Sequence, residues 1–527
     1  VELKFRIFAI ICQPDTDAQV TPRPHFSRLT LTTLILLCVK LALALYLYSL
    51  GFLSLSADEY SRGMTAARWA LDGDLPLGIY MNAWLPFETY VNGLALKVWD
   101  NVIWTPRITV FIFSCVLLVY FLKLVHYLFK SHFVTLSAGL LLVFHPWYVW
   151  LSGTPMLDIY YLAPFVAGLY YAARWTEERR GVFLLAAGVF FFLSTGFHSQ
   201  AWILVNAANL FLLVYAVVFM REKNRRAFLE LAGFFLLSNL FIILYLPIEH
   251  AATGEWLYMF RDHAARTLPY YSDYDVSLWK KLAYYPRLVY RSAHWLVWLF
   301  FPVGIFAALR ARRTATLFPL GAGVIALAVY SAYNVFSVPA SAAPGRYCLP
   351  FFILFAPYSA LGIYTLFFLD LRAPVSWLLR GAAAALVVYL LWTSFLELPD
   401  YETKNARDAV NVGLFVRDAM DSKWPGGDGT IMLERAYWDF LYIRLAAEHF
   451  SLVRFDRPVT DEYAGTPSDL PSMSDDEILA RVNKEKTRFI VVRDPALKER
   501  LSRLGFLRLA RDSDEWVAYE VEPGAVR

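Results

Sequence analysis

From Leu29 to Glu397 apolar residues run in long stretches, and polar residues fall between them in short clusters. A stretch of about 20 apolar residues is what a helix needs to cross the hydrocarbon core of a bilayer. By that measure spans are expected at 29–53, 106–129, 133–151, 157–174, 181–197, 200–220, 227–247, 292–309, 315–334, 347–369 and 379–397. That makes about eleven helices, and the 181–220 region can be divided differently. Past Pro399 the pattern changes. Thr430–Leu433 (TIML) and Phe489–Val492 (FIVV) read as buried strands, Asp494–Leu504 as a helix and Trp516–Val521 as a last strand, with a loop over Lys423–Asp428 (KWPGGD).

The chain therefore divides into three parts. Residues 1–28, with Pro14, Pro22 and Pro24, form a short cytoplasmic arm. Residues 29–398 form a polytopic α-helical membrane domain, and 399–527 a small extracytoplasmic α/β domain large enough for its own core. The first long apolar run begins near Leu29 and is long enough to span, so a cleaved signal peptide is not expected.

Charge supplies the orientation. Arg174, Arg179 and Arg180 share one loop; Arg221, Lys223, Arg225 and Arg226 share another; Arg310, Arg312 and Arg313, then Arg372 and Arg380, follow on the same side. Basic short loops stay in the cytoplasm. The loops 54–105, 248–291 and 335–346 and the C-terminal domain are then outside, and the N-terminus inside. In a bacterium this places the protein in the inner (plasma) membrane, with its C-terminal domain periplasmic or extracellular.

Composition agrees with a membrane protein. The 527 residues are 58% hydrophobic and 18% charged, with a mean hydropathy of +0.44, too apolar for an ordinary soluble chain. A net charge of +4 does not suggest nucleic acid as a partner. Cys12, Cys38, Cys115 and Cys348 are scattered without a CxxC pair, so they read as small core residues. The C-terminal domain carries no nucleotide-binding glycine loop.

Candidate chemistry gathers in the outer loops. Ser56-Ala57-Asp58-Glu59-Tyr60 puts two carboxylates where the first span leaves the bilayer. Ser56 with Glu59 also fits a capping box, so helix capping competes with chemistry there. Asp158, in Gly153-Thr154-Pro155-Met156-Leu157-Asp158, opens a span, and capping competes again. Arg346, in Pro344-Gly345-Arg346-Tyr347-Cys348-Leu349-Pro350, sits at a membrane edge, where an arginine either snorkels or holds a phosphate. Glu88 in Pro86-Phe87-Glu88-Thr89-Tyr90, His263, and the many aromatic rings of loop 248–291 complete the set. Those rings suit the headgroup level of a bilayer or the face of a sugar.

The order of these motifs resembles the GT-C superfamily of membrane glycosyltransferases, and most of all the protein O-mannosyltransferase-like branch that includes the lipid A aminoarabinose transferase. Asp58-Glu59 matches that branch's acidic pair, and Asp72-Gly73-Asp74-Leu75-Pro76 its "GD…P" turn. Phe87-Glu88-Thr89 stands at its FEKP-type segment, Gly153–Asp158 at its "GT…LD" turn, Asp262–Arg266 at its "EH.QR" segment and Arg346–Pro350 at "RY.LP". The likeness spans roughly 50–370; single motifs are weak and the ordered set is specific. The lysine after the glutamate is Thr89 here, and the arginine after the acidic pair is displaced by one, to Arg62.

The resemblance implies Asp58, Asp158 and Glu59 at the reaction centre. It implies Arg346, Arg266 and Arg62 on a donor phosphate, and a structural divalent metal such as zinc on Glu88 and His263. It further implies a polyprenyl-phosphate-linked sugar as donor, a lipid, glycan or protein as acceptor, and transfer with inversion. Two other functions remain open from the sequence: a transporter or flippase of lipid-linked sugars, and an oligosaccharide-transferring enzyme of the same superfamily. The WWD-type motif of the latter is not apparent in the C-terminal domain.

Overall fold

The computed structural model describes residues 27–72, 85–219, 225–261, 277–311, 313–336, 345–369, 373–401, 406–426, 429–435, 440–447, 453–455, 469–513, 515–522 and 524. The membrane domain opens with α1 (Arg28–Ser49), followed by two shorter helices, α2 (Asp58–Asp72) and α3 (Phe87–Val98). Next come α4 (Trp104–Phe129), α5 (His132–Val143), α6 (Pro146–Gly153), α7 (Leu157–Glu178), α8 (Gly181–Phe197), α9 (Ser199–Phe219), α10 (Arg225–Ser238) and α11 (Leu240–Thr253). It closes with α12 (Leu278–Arg291), α13 (Trp295–Ala311), α14 (Thr314–Phe336), a 3₁₀ turn at Gly345–Cys348, α15 (Leu349–Phe367) and α16 (Ala373–Glu397).

Within the described residues, each expected apolar stretch is helical over most of its length. Among the described residues, six helices are long and apolar enough to cross a membrane on their own, and nine if each of three bent pairs counts as one span. The expected span 133–151 is one of those pairs, bent by 64° between α5 and α6. The cause is local. Pro146 cannot donate a backbone hydrogen bond, and it drives His145 into an extended conformation with ψ of 121°. The stretch 227–247 breaks at Asn239 by 43°, and α12 meets α13 at 101°.

Burial separates core from periphery. In the span beginning at Gly345, 83% of the most apolar window is buried, against 17% in α1 and α16. The span that carries Arg346 is thus central, while α1 and α16 show Leu31, Ile35, Trp377 and Leu378 to the lipid side. At the centre α13 and α15 touch backbone to backbone. A Cβ on Gly304 would lie 1.7 Å from the Tyr358 carbonyl oxygen, and one on Gly362 2.0 Å from that of Phe300. Small residues permit this approach where lipid gives helices little hydrophobic reason to associate.

The C-terminal domain has α17 (Ala406–Lys423), β1 (Thr430–Leu433), α18 (Phe440–Ala446), β2 (Val453–Phe455), α19 (Asp475–Glu485), β3 (Thr487–Val492), α20 (Pro495–Leu501), β4 (Leu507–Asp512) and β5 (Val517–Val521). The sheet order is β2-β1-β3-β5-β4, with β1 parallel to β2 and β3, and β5 antiparallel to β3 and β4. Strand alternation divides its core. Ile431, Leu433, Phe489, Val491 and Ala518 face α17 and α18. Met432, Ile490, Val492, Val517 and Tyr519 face Ile478 and Val482 of α19 and Leu497 and Leu501 of α20.

This domain is seated on the membrane domain. Tyr60, Met64 and Ala67 of α2 share a core with α17 and α18, and the Tyr60 and Tyr442 rings lie 4.3 Å apart. The Tyr401 hydroxyl donates to the Leu50 carbonyl at 3.2 Å. The helix that opens with Asp58 is therefore clamped from above.

Candidate active site

Three elements that are remote in sequence converge. Asp58 lies in the first turn of α2 and Asp158 in the first turn of α7, while Arg346 lies in the 3₁₀ turn ahead of α15. Arg346 Nη2 is 3.9 Å from Asp58 Oδ2 and its Nε 3.4 Å from Asp158 Oδ2. Their side-chain exposures differ: 36% for Asp58, 18% for Arg346 and 5% for Asp158. One carboxylate is thus accessible, one is buried, and a guanidinium lies between them.

The cluster is not internally satisfied. Asp158 Oδ1 is buried and has no hydrogen-bond partner among the described residues, and Arg346 Nε, also buried, meets Asp158 Oδ2 only as an ion pair at 3.4 Å. Native interiors rarely leave such groups open, and a ligand site is one place where they do. Around it stand Tyr161, whose hydroxyl donates to Gln200 Oε1 at 2.8 Å, and Tyr347, whose ring centroid is 6.4 Å from that of His198.

Arg62, which the resemblance implies on a donor phosphate, lies against the turn that carries Asp158. Its Nη2 donates to the Pro155 carbonyl at 3.3 Å and to Met156 Sδ at 3.0 Å. It ties α2 to the turn that carries Asp158. Its charge also falls on Glu88, which is buried beside Asn92. Asn92 Nδ2 donates to Glu88 Oε1, and the Tyr160 hydroxyl donates to Asn92 Oδ1 at 2.8 Å. Burial pushes the Glu88 carboxyl above the usual carboxylate range, while Arg62 and Asn92 pull it back.

Glu59 is turned away from the cluster. Its Oε1 accepts from the Leu55 and Ser56 amides at 2.6 and 3.1 Å, and its Oε2 is 3.3 Å from Arg107 Nη2. Half of the expected capping box is present: Glu59 reaches back to Ser56, whereas the Ser56 hydroxyl accepts from Asp58 at 3.3 Å instead. Burial raises the Glu59 carboxyl, and Arg107 with the two amides opposes that rise. Arg107 also donates to the Leu53 and Ile103 carbonyls and to the Tyr60 hydroxyl, at 3.0, 2.7 and 3.0 Å. Glu59 and Arg107 together form the strut that sets the entry into α2. Arg107 escaped the sequence reading. Its signal was an arginine one turn into a span, on a side where the loop charges do not call for one.

Arg266 and His263 lie outside the described residues. Among the described residues no three His, Cys, Asp or Glu side chains gather as metal ligands. Glu88 gives one oxygen to Asn92 and has the Arg62 cation as its counter-charge. Glu88 is thus placed beside Asn92 and within the field of Arg62, while His263, its expected partner on a metal, lies outside the described residues.

No protein-family model matches the chain, and no curated protein matches it in sequence. Solved structures do. ArnT from Cupriavidus metallidurans bound to undecaprenyl phosphate superimposes with a TM-score of 0.64 at 12% identity, over 94% of this chain and 98% of that one. The apo form of the same protein gives 0.61, also at 12%, over 95% and 100%. Archaeal oligosaccharyltransferase AglB from Archaeoglobus fulgidus, in complex with an inhibitory peptide and a dolichol-phosphate, gives 0.52 at 12%, over 87% and 69%. The chain has the GT-C fold. At this identity the likeness establishes architecture, and the GT-C fold here includes both the helical membrane domain and the small C-terminal α/β unit.

Proposed function

We propose that the protein is a membrane glycosyltransferase that moves a sugar from a polyprenyl-phosphate donor to a lipid, glycan or protein acceptor on the outer side of the membrane. The observation that carries this reading is the Asp58–Arg346–Asp158 cluster, in which buried Asp158 Oδ1 has no hydrogen-bond partner among the described residues. The undecaprenyl phosphate in ArnT and the dolichol-phosphate in AglB are the kind of lipid phosphate that a buried arginine at a membrane edge would hold.

The acceptor hydroxyl oxygen attacks the anomeric carbon from the face opposite the phosphate. A carbon–oxygen bond to the acceptor forms, the bond to the phosphate oxygen breaks with its electron pair leaving on the phosphate, and the configuration inverts. Asp58, the accessible carboxylate, takes the acceptor proton, for which position within hydrogen-bond reach is the first requirement. Arg346 exchanges its contacts with the two aspartates for the leaving phosphate and stabilises the charge that develops there. Asp158 orients the guanidinium. Were the acceptor itself a phosphate, no base would be needed and Asp58 would position it.

A lipid-linked sugar flippase is favoured less, because transporters place their charges near the bilayer midplane, whereas these three lie at helix ends on one end of the bundle. Transfer of a whole oligosaccharide stays within the proposal through the likeness to AglB. Mass spectrometry of lipid-linked sugars and glycans in membranes with and without the protein tests the reading. A donor species that accumulates only without it, with loss of one glycosylated product, supports transfer; identical profiles overturn it.

A further inference from the structure

At the same end of the bundle as the aspartate–arginine cluster, α12 packs against the 3₁₀ turn that bears Arg346. Its inner side is fixed: Tyr285 and Val289 are buried, the Tyr285 ring lies 5.0 Å from that of Tyr330, and Asn334 Nδ2 donates to the Lys281 carbonyl at 2.6 Å. It meets the membrane helix α13 at 101°, so with α13 across the bilayer α12 lies along its surface. Trp298 Nε1 donates to the Tyr290 carbonyl at 2.9 Å and holds that elbow.

The outer side of α12 carries two parallel ridges. Trp279, Pro286 and Tyr290 form one, with Trp279 77% and Tyr290 56% exposed. Lys280, Arg287 and Arg291 form the other, each one residue further along and exposed. At about 100° of rotation per residue the basic ridge sits a quarter-turn or so from the aromatic one. None of these three cations has an ion-pair partner among the described residues. Exposed rings beside a row of exposed cations on one helix are the pattern of a helix lying on an anionic lipid surface.

We infer that the Lys280–Arg287–Arg291 ridge of α12 docks the phosphates of anionic phospholipid headgroups in the leaflet next to the Arg346 cluster. Trp279 and Tyr290 set its depth, because their rings bury apolar area at the boundary while the cations one step around the helix stay at phosphate level. The helix that walls the cluster on its buried side thus reads the lipid surface on its exposed side. This does not depend on the reaction assigned to the cluster.

The test is native mass spectrometry of the full chain, titrated with phosphatidylglycerol and, separately, phosphatidylcholine. Two variants are compared with wild type, Lys280→Gln/Arg287→Gln/Arg291→Gln and the single Arg287→Gln, which covers the case in which the triple variant does not fold. Wild type is expected to retain phosphatidylglycerol in preference to phosphatidylcholine. Arg287→Gln should lower that preference by roughly fivefold and the triple variant by more, from about 1 kcal/mol per cation at an anionic surface. No preference in wild type, or the same preference in wild type and Arg287→Gln, overturns the assignment.

Discussion

Arg346 Nε lies 3.4 Å from Asp158 Oδ2, and the aspartate is almost wholly buried. The two residues come from turns that open different helices, so their pairing fixes how α7 and α15 meet. Arg346→Gln leaves Asp158 as a buried charge without its partner, which costs roughly 3–5 kcal/mol. Asp158→Asn has a smaller penalty, because Arg346 keeps Asp58 within 3.9 Å. In thermal unfolding of the purified protein, the double variant should lose less than the sum of the singles. Additive losses would mean that the pair is not energetically coupled.

Neighbouring carboxylates should separate stability from activity. Glu59→Gln strands the buried Arg107 guanidinium and should destabilise by a few kcal/mol. Asp58→Asn should be nearly silent in stability, since Asp58 is partly exposed and asparagine serves a helix start about as well. Thermal unfolding of the two proteins side by side decides it. A larger loss in Asp58→Asn would make Asp58 the structural residue of the two.

The C-terminal domain carries a pH signature at Glu520. Burial pushes this carboxyl upward, but Lys423 Nζ at 2.5 Å and Arg508 Nη2 at 2.7 Å outweigh it and hold the group below its usual value. A lowered folded value means that the stabilisation is present above the unfolded carboxylate pKa and is lost as pH falls through the folded one. Both cations are well exposed, so the pair contributes no more than about 1 kcal/mol. Acid unfolding of Glu520→Gln should lack that part of the pH dependence while keeping the rest. An unchanged acid limb would remove Glu520 from the account.

The sidedness rests on basic loops, and Ser472, exposed in the C-terminal domain, reports it. In intact cells, or in spheroplasts if there is an outer membrane, Ser472→Cys should react with an impermeant maleimide, with the labelled peptide mapped by mass spectrometry. Labelling only after lysis would place the domain in the cytoplasm and reverse the orientation.

Much of this architecture was legible in the sequence, and the reason is physical. A span must be apolar over its whole length, so the expected stretches and the helices coincide, and Asp58, Asp158 and Arg346 were each marked as a charge at a span end. The bends at His145 and Asn239 were not legible, because apolar length does not report direction. Nor was the fate of Glu59. Its local sequence fits a cap, and only the fold shows that Arg107, 48 residues on, takes its second oxygen. Of the C-terminal domain the buried strands β1, β3 and β5 were readable as apolar runs. The edge strand β4, with Arg508, Arg511 and Asp512 on it, was hidden by the charges that protect an edge.

The most direct measurement is turnover by Asp58→Asn. Wild type and variant are reconstituted with a lipid extract containing polyprenyl-phosphate-linked sugars and an acceptor extract from the same membranes, and the free polyprenyl phosphate released is followed by mass spectrometry. Wild type should release it, and Asp58→Asn should do so roughly 10²–10⁴-fold more slowly with an unchanged melting temperature. Equal release by a folded Asp58→Asn protein would contradict the assignment of Asp58 as the base, and no release by wild type would contradict the transfer reaction itself.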